Sequence, residues 1–358
     1  MPDKKRVRLG ILGTGGIVRL AVPQMLQADG AEIVAIASRS AEKAAQVAGE
    51  LGIAASFGSY EALIADPSIE AVYVALPIAL HAEWTIKALR AGKHVLCEKP
   101  LTTGSADTKR VMAAADEAHR IVWEGFMVRH HPQWRAVDGI LAAGRIGEVR
   151  AVQGMLTRTP PNAFDPDAIA NRAELGGGVL LDGGCYLVHF ARLAFGAEPV
   201  RVTALAEDDP DLGVTTFLSA MMEFPRGTAS FTVSSRLRRF QRVLIVGTEG
   251  SLDVRIPVMP PPARPAAVVA DYRDTLPTAD PEVLEFGPVP SFREEIDAFA
   301  AAIRGVSPGP FVPGDALLNA AVIEALAQSA AQRGAWIEVV AQDIVHGTKA
   351  QYAVMDRH

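Results

Sequence analysis

The chain has 358 residues, of which 49% are hydrophobic and 21% charged, so it is long enough for two domains that each bury a core. This composition excludes long disorder, collagen and low-complexity arrays. The formal net charge of −6 argues against binding to nucleic acid or to anionic membranes.

The first third of the chain alternates short β-branched apolar runs with helical patterns. Strands are predicted at residues 7–12, 32–37, 71–75, 94–97 and 121–123. Helices are predicted between them at residues 17–28, 41–51, 80–91 and 106–119. Strands that alternate with helices of this length form βαβ units, so we predict an α/β fold with an N-terminal doubly wound parallel-sheet (Rossmann) domain over residues 1–125. Ligands of such a dinucleotide-binding sheet bind at the carboxyl ends of its strands.

A different pattern begins near residue 126 and extends to residue 345. Helices are predicted at residues 132–143, 182–195, 292–304 and 316–333. Strands are predicted at residues 148–157, 217–224, 228–235, 243–246, 251–255 and 336–340, and the middle four form two hairpins. Five prolines within residues 257–265 predict a surface loop. We therefore predict a C-terminal α+β domain with an open, largely antiparallel sheet for substrate binding and oligomerisation, followed by a tail over residues 346–358.

A glycine-rich turn joins the first predicted strand to the first predicted helix. Its five residues, which we predict to bind the pyrophosphate of a dinucleotide, are Gly13, Thr14, Gly15, Gly16 and Ile17. Gly13 would make the tight turn, and Gly15 would let main-chain amides approach the phosphates. Val18 stands at the third fingerprint position, where Gly or Ala is usual, and its bulk would push the helix slightly off the strand. The alternative is a glycine-rich turn in another kind of α/β protein.

The residues after the second predicted strand favour NADP over NAD. An NAD-specific enzyme would place Asp or Glu there to bind the ribose 2′-hydroxyl, and this strand end has neither. Arg39 and Lys43 instead offer two cations to a 2′-phosphate, and Ser38 and Ser40 offer hydroxyl groups. The alternative is a solvated start of a helix that binds no ligand.

Four further segments carry motifs of a known family. They are GKHVLCEKP at residues 92–100, VALP at 74–77 with His81, EGFMVRHHP at 124–132 and GGGVLLDGGCY at 176–186. In order and spacing, from Arg6 to Trp336, the sequence resembles the Gfo/Idh/MocA family, named after glucose-fructose oxidoreductase, inositol dehydrogenase and rhizopine catabolism. Within it, the sequence resembles the branch of glucose-fructose oxidoreductase, dimeric dihydrodiol dehydrogenase and bacterial D-xylose dehydrogenases, because Tyr186 stands where other branches carry His.

The resemblance implies roles for residues that the patterns alone leave unassigned. Further cofactor-binding residues, carried over from the matching motifs, are Leu76, Pro77, His81, Glu98 and Lys99. Members of the same branch use NADP through an Arg such as Arg39. Ile78 departs from the family, which often has Asn there, so one side-chain contact to the cofactor is lost. The resemblance also implies a sugar-like substrate between the first sheet and the Asp182 helix, and a homodimer or homotetramer formed through the C-terminal sheet.

Oxidation of an alcohol by a nicotinamide needs a base for the hydroxyl proton, and we predict that Lys99 and Tyr186 supply it. Lowering the pKa of a phenol from about 10 to about 7–8 takes roughly 3–4 kcal/mol. An ammonium about 4 Å away contributes about 4 kcal/mol at an effective dielectric constant near 20. Such a pair accelerates proton transfer about 100- to 10,000-fold.

The predicted helix near residue 182 carries three polar candidates. Tyr186 and His189 follow Asp182 by four and seven residues, so the three side chains lie roughly on one helix face. Asp182 would orient Lys99, accept a substrate hydroxyl or act as the base; the alternative is a helix N-cap. His189 would contact the substrate or pack behind the site. Arg129 would contact the substrate or be a plain exposed arginine.

The chain shows no metal signature. The conceivable ligands are Asp182, His189, His130 and His131. No HExxH or paired-Cys spacing supports them, so we predict that no metal is bound. Cys97 and Cys185 are predicted to be buried, and so few cysteines favour a reducing compartment. We expect no membrane-length apolar stretch and therefore predict a cytoplasmic protein that binds neither membrane nor nucleic acid.

Together these features predict an NADP-dependent oxidoreductase that transfers hydride between a nicotinamide and a sugar, a polyol or a cyclic diol or carbonyl compound. NAD is the less favoured cofactor. Two other classes stay open. One is a glycosidase or lyase that retains its nicotinamide and acts by transient oxidation, and the other is a non-catalytic cofactor-binding regulator. Loops such as residues 158–175 are predicted to set the substrate specificity.

Overall fold

A computed structural model describes residues 6–272, 280–309 and 314–340. The chain forms two compact units, one of Met1–His130 with Pro290–Val312 and the other of His131–Val289 with Pro313–His358. The tail predicted over residues 346–358 and the domain end predicted at residue 345 lie outside the described residues.

The elements are numbered in chain order. The described strands are β1 (Val7–Leu12), β2 (Ala31–Ala37), β3 (Ala55–Phe57), β4 (Ala71–Val74), β5 (His94–Glu98), β6 (Val122–Gly125), β7 (Val149–Thr157), β8 (Arg201–Asp208), β9 (Thr215–Phe224), β10 (Gly227–Ser234), β11 (Phe240–Gly247), β12 (Ser251–Val254), β13 (Ala266–Asp271), β14 (Glu282–Phe286) and β15 (Ile337–Glu338). The described α-helices are α1 (Gly16–Met25), α2 (Ala41–Leu51), α3 (Tyr60–Ala65), α4 (His81–Arg90), α5 (Ser105–Ala118), α6 (Pro132–Ala142), α7 (Cys185–Phe195), α8 (Ser291–Ile303) and α9 (Asp315–Ala331).

The first unit is built on a six-stranded sheet in the order β3-β2-β1-β4-β5-β6. All its strand pairs are parallel. The central strands β1 and β4 are buried along nearly their whole length, as a parallel sheet covered on both faces requires. This strand order is that of a doubly wound dinucleotide-binding sheet, so the predicted Rossmann domain is confirmed.

Two parts of the first unit differ from the sequence-based prediction. Strand β3 and helix α3 were not predicted, because three and six residues are too short for a periodic signal. Helix α8 belongs to the first unit, although the sequence-based division places it in the second. It buries Phe292, Ile296 and Phe299, and the Asp297 carboxylate accepts a hydrogen bond from the Gly30 amide at 2.7 Å.

The second unit is built on a nine-stranded sheet in the order β14-β13-β12-β11-β7-β10-β9-β8-β15. Its pairs are antiparallel except for β7 with β10, which run parallel. The α+β domain with a largely antiparallel sheet is therefore confirmed. Both predicted hairpins form, the first between β9 and β10 and the second between β11 and β12.

The proline-rich segment after β12 is only partly the surface loop that the sequence predicts. It forms no strand, as its prolines require. Its first residues are covered, however, because the Trp134 indole donates to the Pro257 carbonyl at 2.8 Å and the Gln133 amide donates to the Ile256 carbonyl at 2.9 Å. Val258 is buried as well. Two side chains of α6 thus bind the start of the loop, which pattern alone did not indicate.

A π-helical turn, Leu180–Gly184, leads into α7. A Cβ on Gly183 would lie 2.9 Å from Val233 Cγ2, so glycine lets this turn pack closely against β10. The helical run Ala173–Phe195 is the one described stretch long and apolar enough to cross a membrane, although 67% of its apolar window is buried inside the protein. That degree of burial is typical of a core helix and indicates no membrane span.

Candidate functional site

The turn between β1 and α1 has the geometry of a phosphate cradle. Gly13 adopts φ +118°, and a Cβ there would lie 2.3 Å from the Ala75 carbonyl oxygen, so the turn requires glycine. A Cβ on Gly15 or Gly16 would meet no described atom within 4 Å, so the mouth of the turn is open. Gly15 caps α1 without a side chain, and none of the described first-turn residues of α1 is acidic. The main-chain amides of the turn therefore fit a pyrophosphate. Val18, which stands at the third fingerprint position of this turn, is fully buried.

The residues after β2 are arranged as a helix cap and an exposed cation. Ser40 is the N-cap of α2, and its hydroxyl accepts a hydrogen bond from the Lys43 amide at 3.1 Å. Ser38 is buried, whereas the Arg39 and Lys43 side chains are exposed. Burial raises the pKa of the Tyr60 hydroxyl, and the Arg39 guanidinium opposes that rise through its charge and a hydrogen bond. Arg39 thus lies beside Tyr60 at the end of β2.

A carboxylate that the sequence motifs do not mark, that of Glu42, also lies in this segment. Glu42 accepts a hydrogen bond from the Ser40 hydroxyl at 2.7 Å, and this bond lowers the pKa of the Glu42 carboxyl. Its negative charge opposes binding of a 2′-phosphate, whereas the charges of Arg39 and Lys43 favour it. The cofactor preference therefore depends on which of these exposed side chains a bound phosphate reaches.

His81 joins the loops that follow β4 and β5. Its Nδ1 lies 2.9 Å from the Pro100 carbonyl oxygen, and its Nε2 lies 2.9 Å from the Leu76 carbonyl oxygen. The ring is buried, and burial lowers its pKa. Both ring nitrogens face main-chain carbonyls, and the neutral ring carries one N–H, so His81 donates to the carbonyl of either Leu76 or Pro100. A direct cofactor contact by His81, Leu76 or Pro77 stays a prediction.

Lys99 follows directly on the carboxyl end of β5, beside a buried carboxylate. The Tyr73 hydroxyl donates to Glu98 Oε1 at 2.5 Å, and the Lys99 amide donates to Glu98 Oε2 at 3.3 Å. The peptide bond between Lys99 and Pro100 is cis. A second buried carboxylate, that of Glu124, accepts a hydrogen bond from the Leu101 amide at 2.8 Å. The motif around Lys99 is therefore held by carboxylates on two neighbouring strands.

Glu295 is a buried acid of the first unit that the sequence analysis missed. Its side chain is 1% exposed, and neither carboxyl oxygen has a hydrogen-bond partner among the described residues. Burial raises its pKa well above the usual value, the charge of Glu98 adds to this rise, and that of Arg129 opposes it. The sequence gives no signal for this site, because Glu294 beside it is equally polar.

The Arg129 guanidinium lies over the Phe126 ring at 5.3 Å, and a substrate contact by Arg129 stays a prediction.

Asp182 lies inside the π-helical turn of the second unit. The alternative in which Asp182 is a helix N-cap is wrong, because Val179 caps the π-helical turn and Gly184 caps α7. Its carboxylate accepts a hydrogen bond from Arg158 Nη2 at 3.0 Å. Sequence reasoning missed this pair because its two residues are 24 positions apart along the chain.

Tyr186 and His189 lie one helical turn apart on α7, and both are buried. The Tyr186 and Phe190 rings stack with centroids 6.3 Å apart. The Asn319 amide of α9 donates to the Cys185 carbonyl at 3.4 Å, next to Tyr186. Asp182 is 43% exposed and precedes α7, so the single helix face predicted for the three residues is interrupted by the π-helical turn.

The cysteines are buried as predicted, and Cys97 and Cys185 form no disulfide. Burial raises the pKa of the Cys97 thiol far above its usual value, which makes it unreactive. The described part of the chain contains no group of three or more His, Cys, Asp or Glu side chains placed to hold a metal ion. The structure thus brings the candidates together as two sets, one around Lys99 and the other around Asp182. The pairing of Lys99 with Tyr186 joins residues of different units and stays a prediction.

Comparison with known proteins extends these observations to nearly the whole chain. Residues 7–126 match the family model for an oxidoreductase family with an NAD-binding Rossmann fold, and residues 134–253 match the model for the GFO/IDH/MocA C-terminal domain. A fold of two such units defines a nicotinamide-dependent oxidoreductase. The chain belongs to the GFO/IDH/MocA family, as its motifs predicted.

Individual relatives agree with this assignment. The chain is 42% identical over 332 residues to an oxidoreductase of Rhizobium meliloti, covering 92% of this chain and 98% of that protein. It is 39% identical over 299 residues to a D-xylose 1-dehydrogenase (NADP(+)) of Haloferax volcanii, and the match covers 82% of this chain and 88% of that protein. The fold is similar to the crystal structure of KijD10, a 3-ketoreductase from Actinomadura kijaniata in complex with NADP and TDP-benzene. The TM-score is 0.82 at 32% identity, and the match covers 91% of this chain and 98% of that chain. All three are oxidoreductases, so these relatives do not favour the glycosidase or lyase alternative.

Proposed function

We propose that the protein is an NADP-dependent oxidoreductase that acts on a sugar, a polyol or a cyclic diol, or on the corresponding carbonyl compound. Family membership supports the reaction class. The observation that carries the proposal is the carboxyl edge of the first sheet. The open Gly15–Gly16 turn follows β1 there, and Lys99, beside the buried Glu98, follows β5. Relatives that use or bind NADP, together with Arg39 and Lys43, support NADP over NAD.

The proposed chemistry divides between cofactor and chain. NADP, when bound, supplies the acceptor for the hydride that leaves the alcohol carbon. The hydroxyl proton goes to Tyr186, which is held as the phenolate by the charge of Lys99, and the carbon–oxygen bond becomes a carbonyl. Asp182 positions the substrate by accepting a hydrogen bond from a neighbouring hydroxyl. In the direction of reduction, Tyr186 returns the proton to the carbonyl oxygen.

The first experiment follows the absorbance of reduced nicotinamide. Purified protein is incubated with NADP or NAD and a panel of aldoses, polyols and cyclic diols, and with NADPH and the matching carbonyl compounds. A steady change with NADP supports the proposal and selects the substrate group. No net change, with tight cofactor binding, contradicts it, and glycoside cleavage is then assayed.

Replacing Tyr186 tests the assignment of the proton. Tyr186→Phe removes the hydroxyl and keeps the ring that packs on Phe190. We expect kcat to fall about 100- to 10,000-fold with little change in the Kd for NADPH. Full turnover of this variant would refute the assignment. The matched control is Tyr272→Phe, which removes a tyrosine hydroxyl of the second unit that has no hydrogen-bond partner among the described residues.

We also propose that the protein forms a homodimer or homotetramer through the nine-stranded sheet and acts in the cytoplasm. Side chains such as Leu205 and Met221 on β8 and β9 are exposed in the single chain. Light scattering of the purified protein measures the mass directly. A monomer at micromolar concentration would contradict the oligomer.

A further inference from the structure

An open pocket of the second unit surrounds the Arg158–Asp182 pair. Strands β7 and β10 run parallel with Thr157 opposite Ser234, so Arg158 and Ser235 leave the sheet at the same edge. The Arg158 amide donates to the Ser234 carbonyl at 3.0 Å and fixes this arrangement. The pocket is a small depression that is open to solvent, and its lining includes Arg158, Asn162, Asp182 and Ser235 together with Pro160 and Val179.

The walls of this pocket are held by hydrogen bonds from side chains to main-chain carbonyls. The buried Asn171 amide donates to the carbonyls of Asn162, Ala163 and Asp165 at 2.8–3.2 Å. At the sheet edge, the Thr159 hydroxyl donates to the Leu237 carbonyl at 2.9 Å. These bonds order the irregular segment between β7 and the π-helical turn, so its polar groups have fixed positions before a ligand binds.

The ion pair in the pocket contributes little to stability, since it is exposed. Arg158 Nη2 lies 3.0 Å from Asp182 Oδ2, and the two side chains are 58% and 43% exposed. Pairs of this kind stabilise proteins by about 0–1 kcal/mol. A guanidinium has five N–H donors, of which the Arg158–Asp182 contact uses one, and a carboxylate has about four acceptor sites, so it can bind a ligand hydroxyl in addition to its partners within the protein.

The local charges favour an uncharged ligand over a phosphate. Asp182 repels an anion, and two other arginines of this region have their own carboxylates: Arg172 lies 2.7 Å from Glu174, and Arg236 lies 2.9 Å from Asp209. Adjacent donors and acceptors with no net charge match vicinal hydroxyl groups, because each hydroxyl both donates and accepts. A diphosphate would need cations in excess.

We propose that Arg158 is a specificity-determining residue that, with Asp182, binds the vicinal hydroxyl groups of an uncharged sugar or cyclic diol. The proposal rests on the proposed function and narrows it to substrates without a phosphate or nucleotide at this position. Arg158 donates to one hydroxyl oxygen while Asp182 accepts from its neighbour. The pair therefore selects for two adjacent hydroxyl groups rather than for one.

Direct binding tests this proposal without depending on turnover. Saturation-transfer NMR and calorimetry on the NADP-loaded protein measure the Kd for D-xylose, trans-1,2-cyclohexanediol and uridine diphosphate glucose. Arg158→Gln is compared with Arg172→Gln, which changes an arginine of the same region that is paired with Glu174. We expect Arg158→Gln to weaken binding of the uncharged ligands about 10- to 100-fold, the loss of a hydrogen bond from a charged donor, and Arg172→Gln to stay within about twofold.

Three results would overturn the proposal. They are equal binding by the wild type and Arg158→Gln, tighter Arg158-dependent binding of uridine diphosphate glucose, and no binding of either uncharged ligand to the wild type. The absorbance assay tests the proposed function separately. Binding that depends on Arg158 without nicotinamide turnover would uphold the recognition site and reject the oxidoreductase assignment. NADP-linked turnover that Arg158→Gln leaves unchanged would uphold the oxidoreductase assignment and reject the recognition site.

Discussion

Removing the buried cation of helix α7 should destabilise the second unit strongly. Arg192 donates to Glu198 through Nε at 2.6 Å and Nη2 at 2.8 Å, to Asp315 at 2.8 Å and to Asn319 at 3.3 Å. The Arg192 side chain is 4% exposed, and those of Glu198 and Asp315 are 22% and 17% exposed. Although burial lowers the pKa of the guanidinium, the two carboxylates raise it more, so Arg192 stays charged. Arg192→Met keeps an apolar stem of similar length and leaves two largely covered carboxylates without this guanidinium.

The expected cost is about 3–5 kcal/mol, the range for breaking a buried ion pair from one side. For a unit of this size, that corresponds to a fall in Tm of about 6–20 °C. Arg201→Met is the matched control, because Arg201 also lies 2.7 Å from a carboxylate, that of Glu223, but with side chains 43% and 40% exposed. Its cost should be about 0–1 kcal/mol. Scanning calorimetry of the wild type and both variants measures these shifts. Equal shifts, or a fall of less than about 2 °C for Arg192→Met, would refute the reasoning.

Three further predictions concern the first unit. Gly13→Ala should lower the free energy of unfolding by about 2–4 kcal/mol, because it combines a positive φ with a Cβ 2.3 Å from a carbonyl oxygen. Gly15→Ala should change that free energy by less than about 0.5 kcal/mol and weaken NADP binding. Urea unfolding measures the stability and nicotinamide fluorescence the binding, and equal destabilisation by the two variants would contradict the cradle geometry. Arg39→Ala should raise the Kd for NADP about 10- to 100-fold and leave that for NAD unchanged, which titration of the two cofactors decides. The raised pKa of Glu295 means that the folded protein holds this proton more tightly than the unfolded chain. The stability that Glu295 contributes to the wild type should therefore decline as pH rises above the unfolded pKa of about 4.3, and Glu295→Gln should lack that decline. Tm of both proteins is measured from acid to mildly alkaline pH. Parallel curves of Tm against pH for the two proteins would contradict this prediction.

Much of the fold could be predicted because its elements are long and regular. Alternating apolar strands and amphipathic helices placed the five longer strands of the first sheet, and two hairpins placed four strands of the second. Strand β3 escaped because three residues carry no period. Helix α8 was predicted as a helix, but its packing partner was not, since amphipathic spacing shows that a face is buried and not what covers it.

The candidate site was predictable only where glycine or a family motif marks it. The positive φ of Gly13 could be predicted because a tight turn after a strand needs it. The π-helical turn at Asp182 could not, because a single shift in main-chain hydrogen bonding has no sequence period. Arg158 was named only as the start of a specificity loop, since its partner lies far along the chain. The unpartnered carboxyl of Glu295 depends on three-dimensional packing alone.

The return of α8 to the first unit has a consequence for biosynthesis. The helix packs its buried Phe299 against Trp123, with ring centroids 5.4 Å apart, and Arg304 just after it binds the Glu70 carboxylate at 2.9 and 3.0 Å. The ribosome therefore releases most of the nine-stranded sheet before the final helix of the first unit emerges. Until then, the nascent parallel sheet exposes apolar side chains that a chaperone would recognise. A fragment that ends at residue 130 would keep this exposed surface permanently, so the nucleotide-binding half cannot be separated by a single cut.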